Sequence, residues 1–304
     1  MRTTLRLLVL VAALGTPAFI GAQVSPRTTP TASAVRDTVV EIRLRDGSIF
    51  YGRIEEETAD RVVIVTMAGA RVELIRAQIE SLRVTTGRSA NGTFWTEDPN
   101  HTRLFFSSTA RPLGKGEGYI SSFMLFLPLV AYGVTERFTL AGGTPILPGA
   151  IGKLFYLAPK YTLVQKPKSS FAAGALGFVS TTGQIDEGPV RIVYGVGTWG
   201  SREAAITAGS GWGYSAGNSG SGLSNDPIFV VGGEKRVSRR VKLITENWFF
   251  VGSGASGALM SGGLRFIGDR LSADLAIGGF SAGGNGACCI PIVNFVYNFG
   301  NRKR

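Results

Sequence analysis

The sequence has few of the side chains on which catalysis and metal binding commonly depend. In 304 residues there is one histidine, His101, and the only two cysteines, Cys288 and Cys289, are adjacent. One histidine and two neighbouring thiols cannot supply the four ligands of a tetrahedral zinc site, and adjacent thiols cannot join distant parts of the chain. We therefore expect no metal, no cofactor and a fold that does not depend on long-range disulfides.

Long apolar runs are also missing. Beyond the amino terminus the longest run, Phe123 to Val134, is well short of the about 20 residues that a membrane-crossing helix needs. Charged residues are nonetheless scarce, at 17% against about 25% in ordinary soluble domains. Because only helices and closed barrels satisfy every backbone polar group in lipid, this composition predicts a membrane β-barrel.

The amino terminus has the pattern of a secretory signal. Arg2 and Arg6 flank the start of an apolar run, Leu5 to Leu14, so that we expect a signal peptide over 1–22 and export of the mature chain. Residues 23–36, rich in Pro, Ser and Thr, predict a linker. The formal net charge of +11 would favour nucleic acid in a cytosolic protein, but export removes that partner, and we expect none.

Residues 37–88 contain short β-type runs, predicted as strands at 39–44, 48–55, 61–66, 71–75 and 79–84. Asp46-Gly47 between the first two is a strong hairpin signal. Through Val40-Glu-Ile-Arg-Leu-Arg-Asp-Gly-Ser-Ile-Phe-Tyr-Gly52 and Arg61-Val-Val-Ile-Val65, the stretch resembles the Sm-like small β-barrels. The resemblance implies a bent five-stranded barrel; cytosolic members bind RNA or form rings. Eight arginines stand against nine acidic residues here, which favours a periplasmic module that contacts protein rather than nucleic acid.

After a second predicted linker, 89–102, the sequence consists of long β-type segments rich in Gly and aromatic residues, over 103–300. Twelve strands are predicted, at 103–109, 119–133, 138–143, 153–164, 169–181, 189–199, 202–214, 226–236, 240–251, 256–267, 271–280 and 289–299. The last one alternates and ends on Phe299, which resembles the aromatic-ended final strand of bacterial outer-membrane barrels. The sequence thus predicts an all-β, porin-like protein: an antiparallel transmembrane barrel preceded by a small Sm-like domain, with a basic tail at 301–304.

Charges mark the inward face of this predicted barrel. Arg240, Lys242 and Glu246 share one face of their strand, and a basic side chain facing lipid near the midplane costs about 2–4 kcal/mol. With Arg265 and Asp274 they are candidate lumen-lining residues. They could line a selective pore, but a network that neutralises and fills a modest lumen is the favoured interpretation.

The predicted connections alternate between short and longer ones, with longer links at 144–152, 182–188, 215–225 and 281–288. Outer-membrane barrels place short turns in the periplasm, and an even strand number puts both chain ends on that side. The short turns are basic, which predicts contacts with anionic lipid headgroups. The candidate residues are Arg137, Lys166, Lys168, Arg239 and Arg270.

Catalytic motifs are weak. Gly279-Phe-Ser281-Ala-Gly283 has the spacing of a nucleophile elbow, but that elbow requires a later histidine, and His101 precedes it in a polar stretch expected to be a solvated turn. We therefore expect a non-enzymatic outer-membrane protein with a structural, binding or channel role. The alternatives are a soluble, secreted all-β binding protein and, less favoured, an outer-membrane lipid hydrolase using Ser281 and His101.

Overall fold

The computed structural model describes residues 38–85, 87–90, 93–148, 151–181, 191–217, 220–252 and 256–300. Apart from one short 3-10 helix, Arg76–Gln78, every regular element in these ranges is a β-strand, which confirms the all-β class. None of the described residues forms a helix long and apolar enough to cross a membrane. The predicted signal peptide (1–22), linker (23–36) and basic tail (301–304) lie outside the described residues.

All five strands predicted in the amino-terminal part are present: β1 Val39–Leu44, β2 Ile49–Glu57, β3 Arg61–Thr66, β4 Arg71–Ile75 and β5 Ile79–Val84. They form one antiparallel sheet in the order β4-β3-β2-β1-β5. Along β1 buried Val40 and Ile42 alternate with more exposed charged residues, as a half-buried strand requires. Gly47 takes φ +87° in the predicted turn, where Asp46 Oδ1 accepts the Ser48 N–H at 2.8 Å.

A hairpin follows in the first part of the predicted linker. Its strands, β6 Gly87–Ala90 and β7 Thr93–Thr96, pair antiparallel. The Phe94 ring stacks on Tyr51 of β2 with centroids 5.0 Å apart, and the Arg88 guanidinium lies 4.4 Å from the centre of the Trp95 ring. Residues 87–90 and 93–96 therefore form paired strands that pack on the first sheet.

The remaining strands close into a barrel of twelve. They are β8 Gly118–Phe123, β9 Leu127–Gly133, β10 Phe138–Gly143, β11 Leu154–Lys166, β12 Ser169–Ser180, β13 Arg191–Gly200, β14 Ala204–Gly217, β15 Gly220–Arg236, β16 Val241–Phe250, β17 Gly257–Ile267, β18 Leu271–Ala282 and β19 Asn285–Phe299. Each strand pairs antiparallel with its neighbour, and β19 pairs with β8 to close the ring. Each of these described strands has a neighbour on both sides, so that none is an edge strand, and the predicted antiparallel barrel of about twelve strands is confirmed.

The total of twelve is nevertheless reached with different strands. The predicted strand 103–109 is not part of the wall, which begins at Gly118 rather than at residue 103. The predicted strand 119–133 is two strands, β8 and β9, joined by a tight turn in which Met124 and Leu125 take φ +50° and +65°. One predicted strand is therefore absent from the wall and another is divided in two, so that the total is unchanged.

Residues 98–113 lie inside the barrel, and we call them the plug. The chain turns back between Leu104 and Ser107, where the Leu104 N–H donates to the Ser107 carbonyl at 2.9 Å. An isolated β-bridge pairs Arg103 with Ser108. Most plug residues are buried, including Asn100 and Thr109. The end of the predicted linker 89–102 thus belongs to the interior of the barrel.

The connections define the two ends of the barrel. The short links that precede β10, β12, β14, β16 and β18 share one end, which we call the short-turn end, and the opposite end is the loop end. The predicted long connections 215–225 and 281–288 are largely strand, since the hairpins β14–β15 and β18–β19 extend through them. Residues 220–227 of β15 pair with β14 alone and project beyond β16.

Candidate functional site

The candidate site is the lumen of the barrel, where wall and plug meet. Inward positions of β16, β17 and β18 bring Lys242, Glu246, Arg265 and Asp274 together as buried side chains. Their alternation along the strands is what places them inside. Arg240 differs from this prediction: it lies exposed in the turn before β16, because the strand begins at the next residue.

Glu246 binds the tip of the plug. Its Oε2 accepts the backbone N–H groups of Phe105 and Phe106 at 2.8 and 3.0 Å, and its Oε1 accepts that of Ser107 at 3.0 Å. Oε1 also accepts the indole N–H of Trp248 at 2.8 Å. A carboxylate with four N–H donors in a buried site forms charge-assisted bonds, which are stronger than neutral ones.

Two guanidinium groups that share one carboxylate hold residues 98–104 of the plug, which we call its ascending limb. Arg265 Nε donates to Asp274 Oδ1 at 2.7 Å, and its Nη2 donates to the plug carbonyl of Leu104 at 2.6 Å. From the plug, Arg103 Nη1 donates to Asp274 Oδ2 at 2.9 Å, and Asn294 of β19 donates to the same oxygen at 3.0 Å. The carboxylate therefore links the wall to the plug.

A second chain of ion pairs lies nearer the short-turn end. Lys242 Nζ is 2.5 Å from Asp98 Oδ2 of the plug and 2.9 Å from Glu234 Oε2 of β15. Glu234 Oε1 in turn accepts Arg111 Nη1, also of the plug, at 2.6 Å. Because all of these side chains are buried, each charge requires its partners.

The descending limb of the plug, residues 108–113, is held by β11 and β13. Lys160 Nζ donates to Ser108 Oγ and to the carbonyls of Thr109 and Arg111 at 2.7 to 2.8 Å. No carboxylate among the described residues pairs with it. Thr162 and Thr198 bond the backbone of Ala110, each at 3.0 Å.

On the loop-end side of the plug the lumen contains a cavity of about 170 Å³, which we call the chamber. Its lining is mostly apolar and includes Phe106, Phe123, Leu176, Ile192, Ile228 and Trp248. Phe106, at the tip of the plug, remains 42% exposed, with its ring 5.2 Å from that of Phe123 and 6.2 Å from that of Trp248.

The candidate lipid contacts are all exposed in or beside the links of the short-turn end: Arg137, Lys166, Lys168, Arg239 and Arg270. Their contact with headgroups stays a prediction. They lie at the end of the barrel where the hairpin β6–β7 is attached, since Arg236 Nη1 donates to the Thr96 carbonyl at 2.6 Å and Arg202 pairs with Glu97.

The structure does not bring the elbow serine and the histidine together. His101 is buried in the plug rather than solvated as expected, with Nδ1 3.2 Å from the Asp98 carbonyl. Its neighbour Asn100 bonds Ser272 of β18, nine residues before exposed Ser281, a distance of about 30 Å along the strand. Among the described residues, no cluster of three His, Cys, Asp or Glu side chains could hold a metal.

Cys288 and Cys289 form a vicinal disulfide in β19. They lie on the part of the strand nearer the loop end and away from the plug. The bridge joins neighbouring residues and therefore does not connect distant parts of the chain.

Sequence reasoning missed the plug and its charged residues, Asp98, Arg103 and Arg111. One signal was available: Arg103-Leu-Phe-Phe-Ser-Ser-Thr109 does not alternate between apolar and polar residues as a lipid-facing strand does. Its flanks also carry Pro99 and Pro112, which are unfavourable within a ladder.

No protein-family model matches the sequence, and no curated protein matches it either. Among solved structures, the chain is similar to a KdgM porin in complex with disordered oligogalacturonate, with TM-score 0.43 and 6% identity over 62% of this chain and 99% of the porin. It is also similar to OccK7 (OpdD) of Pseudomonas aeruginosa, with TM-score 0.36 and 9% identity over 86% and 71%. A third is OmpTdeltaL8, an outer membrane protein of Vibrio cholerae, with TM-score 0.36 and 12% identity over 86% and 96%. At this level of similarity the neighbours assign no ligand and no function to the chain.

Proposed function

We propose that this chain is a non-enzymatic outer-membrane protein whose barrel is a gated passage, closed at the short-turn end by its own plug. The observation that carries the proposal is the docking of residues 98–113 inside a closed ring through buried ion pairs and hydrogen bonds. Because these contacts are polar, water that enters the lumen can bond the same groups when the plug moves.

The outer surface of the barrel supports a membrane location. Apolar side chains such as Leu243, Leu275 and Phe295 are exposed on it. The exposed charges on the twelve strands, within the described residues, are confined to strand ends and to the projecting part of β15: Lys166, Arg191, Asp226 and Lys235. Ten strand residues tilted by about 40° span about 25 Å, the height of the apolar band of such barrels.

The direction of insertion follows from the ends of the barrel. Short turns face the periplasm in outer-membrane barrels, so that the amino-terminal sheet and hairpin β6–β7 lie on the periplasmic side. The exposed cations of the short-turn end then lie at the level of the inner-leaflet headgroups, where each contributes about 1 kcal/mol when the lipid is anionic.

The amino-terminal sheet serves as a periplasmic interaction module in this proposal. Its strand order and the hairpin at Asp46-Gly47 support an Sm-like arrangement, and the near balance of charge favours a protein partner. Hairpin β6–β7, which packs on this sheet, has a short connection to the plug, since β7 ends at Thr96 and the plug begins at Asp98. Binding at the module can therefore act on the plug directly.

Membrane location is tested by fractionation of cells that express the full chain. We expect recovery in the outer membrane and a heat-modifiable gel mobility, because a closed barrel resists unfolding by detergent until it is heated. A freely soluble periplasmic product would instead support the secreted binding protein, and the proposal would fail.

Gating is tested by conductance in planar bilayers. The wild-type protein should conduct rarely, and Glu246→Gln, which weakens the hold on the plug tip, should open more often. Glu97→Gln is the matched control, because this carboxylate is exposed and pairs with Arg202 at the rim. A steadily open wild-type channel, or identical opening of all three proteins, would contradict a plug that gates.

A further inference from the structure

The chamber differs from the rest of the lumen in its charge. Two cations, Arg103 and Lys160, belong to its lining, and no carboxylate among the described residues does. Over the whole described interior, six buried Lys and Arg side chains face four buried Asp and Glu side chains. An anion in the chamber would therefore meet an attractive potential, which mostly apolar walls screen less than bulk water does.

The plug also presents donors that lack acceptors. Within the described structure Arg103 Nε and Nη2, Thr102 Oγ1 and Ser107 Oγ are buried without a hydrogen-bond partner. All three residues are more than nine-tenths buried, and all three line the chamber. Buried polar groups without partners are rare in folded proteins, because each one destabilises the fold.

The walls of the chamber favour an apolar molecule. Leu176, Ile192 and Ile228 face it from three different strands, and the Phe106 ring is part of its floor. A cavity of about 150 Å³ lined by such side chains accommodates benzene, so that the chamber's volume fits a body of similar size.

We propose that the chamber binds a small organic monoanion: an apolar body of about six carbon atoms that carries a carboxylate and enters from the loop end. The carboxylate lies against Arg103, Thr102 and Ser107, and the apolar body lies between Ile192 and Ile228. The inference rests on the proposed function, since it requires a lumen that is closed below the chamber and open above it.

Binding is tested calorimetrically on the full chain in lipid nanodiscs, with empty nanodiscs subtracted. The probes are hexanoate, its neutral analogue hexan-1-ol, and acetate, which has the head group alone. We expect hexanoate to bind at least about tenfold more tightly than hexan-1-ol, as a charge-assisted contact requires, and acetate not to bind measurably. Equal binding of hexanoate and hexan-1-ol, or no binding of either, would overturn the proposal.

Variants locate the site. Arg103→Gln should reduce the preference for hexanoate to less than about threefold, while Arg265 still pairs with Asp274. Ala158→Phe, which fills the chamber from β11, should weaken both probes, and Arg240→Gln, at an exposed turn, should change neither. Unaltered hexanoate binding in Arg103→Gln or in Ala158→Phe would contradict the assignment.

Heat-modifiable mobility of every variant shows whether its barrel has formed. If Arg103→Gln does not fold, the double variant with Thr102→Val and Ser107→Ala replaces it, with the same expected loss of preference. A wild-type protein that is heat-modifiable, resides in the outer membrane and binds no hexanoate would refute this inference and leave the proposed function standing.

Discussion

Replacing Glu246 by glutamine tests how the plug is held. The side chain is buried in β16 and takes all three backbone N–H groups at the plug tip, those of Phe105, Phe106 and Ser107. Glutamine has nearly the same shape but one acceptor oxygen instead of two. Whichever way the amide lies, its NH₂ group faces donors that the carboxylate oxygen had satisfied.

The structure sets the size of the effect. Oε2 binds two tip N–H groups, and Oε1 binds the third together with the indole of Trp248, so that the amide loses two of four bonds. A hydrogen bond to a charged group contributes about 1.5–3 kcal/mol and a neutral one about 1 kcal/mol. Since part of the loss falls on Trp248, the plug tip should be destabilised by about 2–4 kcal/mol, which raises its open fraction by about 30- to 900-fold.

Amide hydrogen exchange in nanodiscs measures this opening directly. Exchange in a peptide that covers 103–108 should accelerate by that factor, while exchange in the strands of the barrel stays unchanged. In Glu97→Gln, which removes only an exposed ion pair, the acceleration should stay below about fivefold. If the tip exchanged within about threefold of the wild-type rate in Glu246→Gln, the carboxylate would not be what holds it, and the reasoning about buried charge would be refuted.

Three further predictions concern the barrel itself. Leu275→Arg, at a lipid-facing position of β18, should destabilise the folded barrel in lipid by about 2–4 kcal/mol, measured by refolding into vesicles. Leu223→Arg, on the projecting hairpin, should destabilise it by less than about 1 kcal/mol. Equal effects would argue against a membrane. Gly263→Ala places a Cβ against the backbone of Leu275 and Ala276 and should cost about 1–3 kcal/mol, seen as a smaller heat-modifiable fraction, while Gly177→Ala meets open space and should be tolerated. Replacing the exposed cations of the short-turn end by glutamate should slow insertion into anionic vesicles but not into neutral ones, and equal rates would remove the headgroup role from Arg137, Lys166, Lys168, Arg239 and Arg270.

The features that sequence predicts well are those fixed by local alternation. Lys242 and Glu246 follow the first residue of the predicted strand by two and six positions, and therefore lie on one face. Since a charge that faces hydrocarbon is costly, their inward position follows from this spacing alone. Asp46-Gly47 similarly identifies a turn from its own two residues. Arg240 fails this logic only because the strand starts one residue later than predicted.

The plug and the chamber depend on contacts that spacing does not encode. Leu104, Phe105 and Phe106 have strand-type side chains. Glu246, which accepts the N–H groups of Phe105 and Phe106, is about 140 positions away in sequence. Met124 and Leu125 adopt positive φ without glycine, asparagine or aspartate, so no turn signal divides β8 from β9. The inward position of Trp248 does not follow from a lumen predicted to be lined by charges. It is explained by the chamber, whose lining is mostly apolar and includes this side chain.

Wall and plug form one electrostatic unit, which constrains how the passage can open. Among its described residues, the wall alone buries four cations against three carboxylates: Lys160, Arg236, Lys242 and Arg265 against Glu234, Glu246 and Asp274. The plug supplies Asp98 to Lys242 and three oxygens to Lys160, and removing such partners from a buried charge is strongly destabilising. Complete departure of the plug would require water to enter and solvate every one of these groups. The backbone N–H groups of the tip are bound by a single carboxylate, and the Phe105 carbonyl accepts one bond of 3.4 Å from Asn294, whereas Asp98 and Arg111 are held by linked ion pairs. Opening should therefore begin at Phe106, beside the chamber, and proceed toward Asp98.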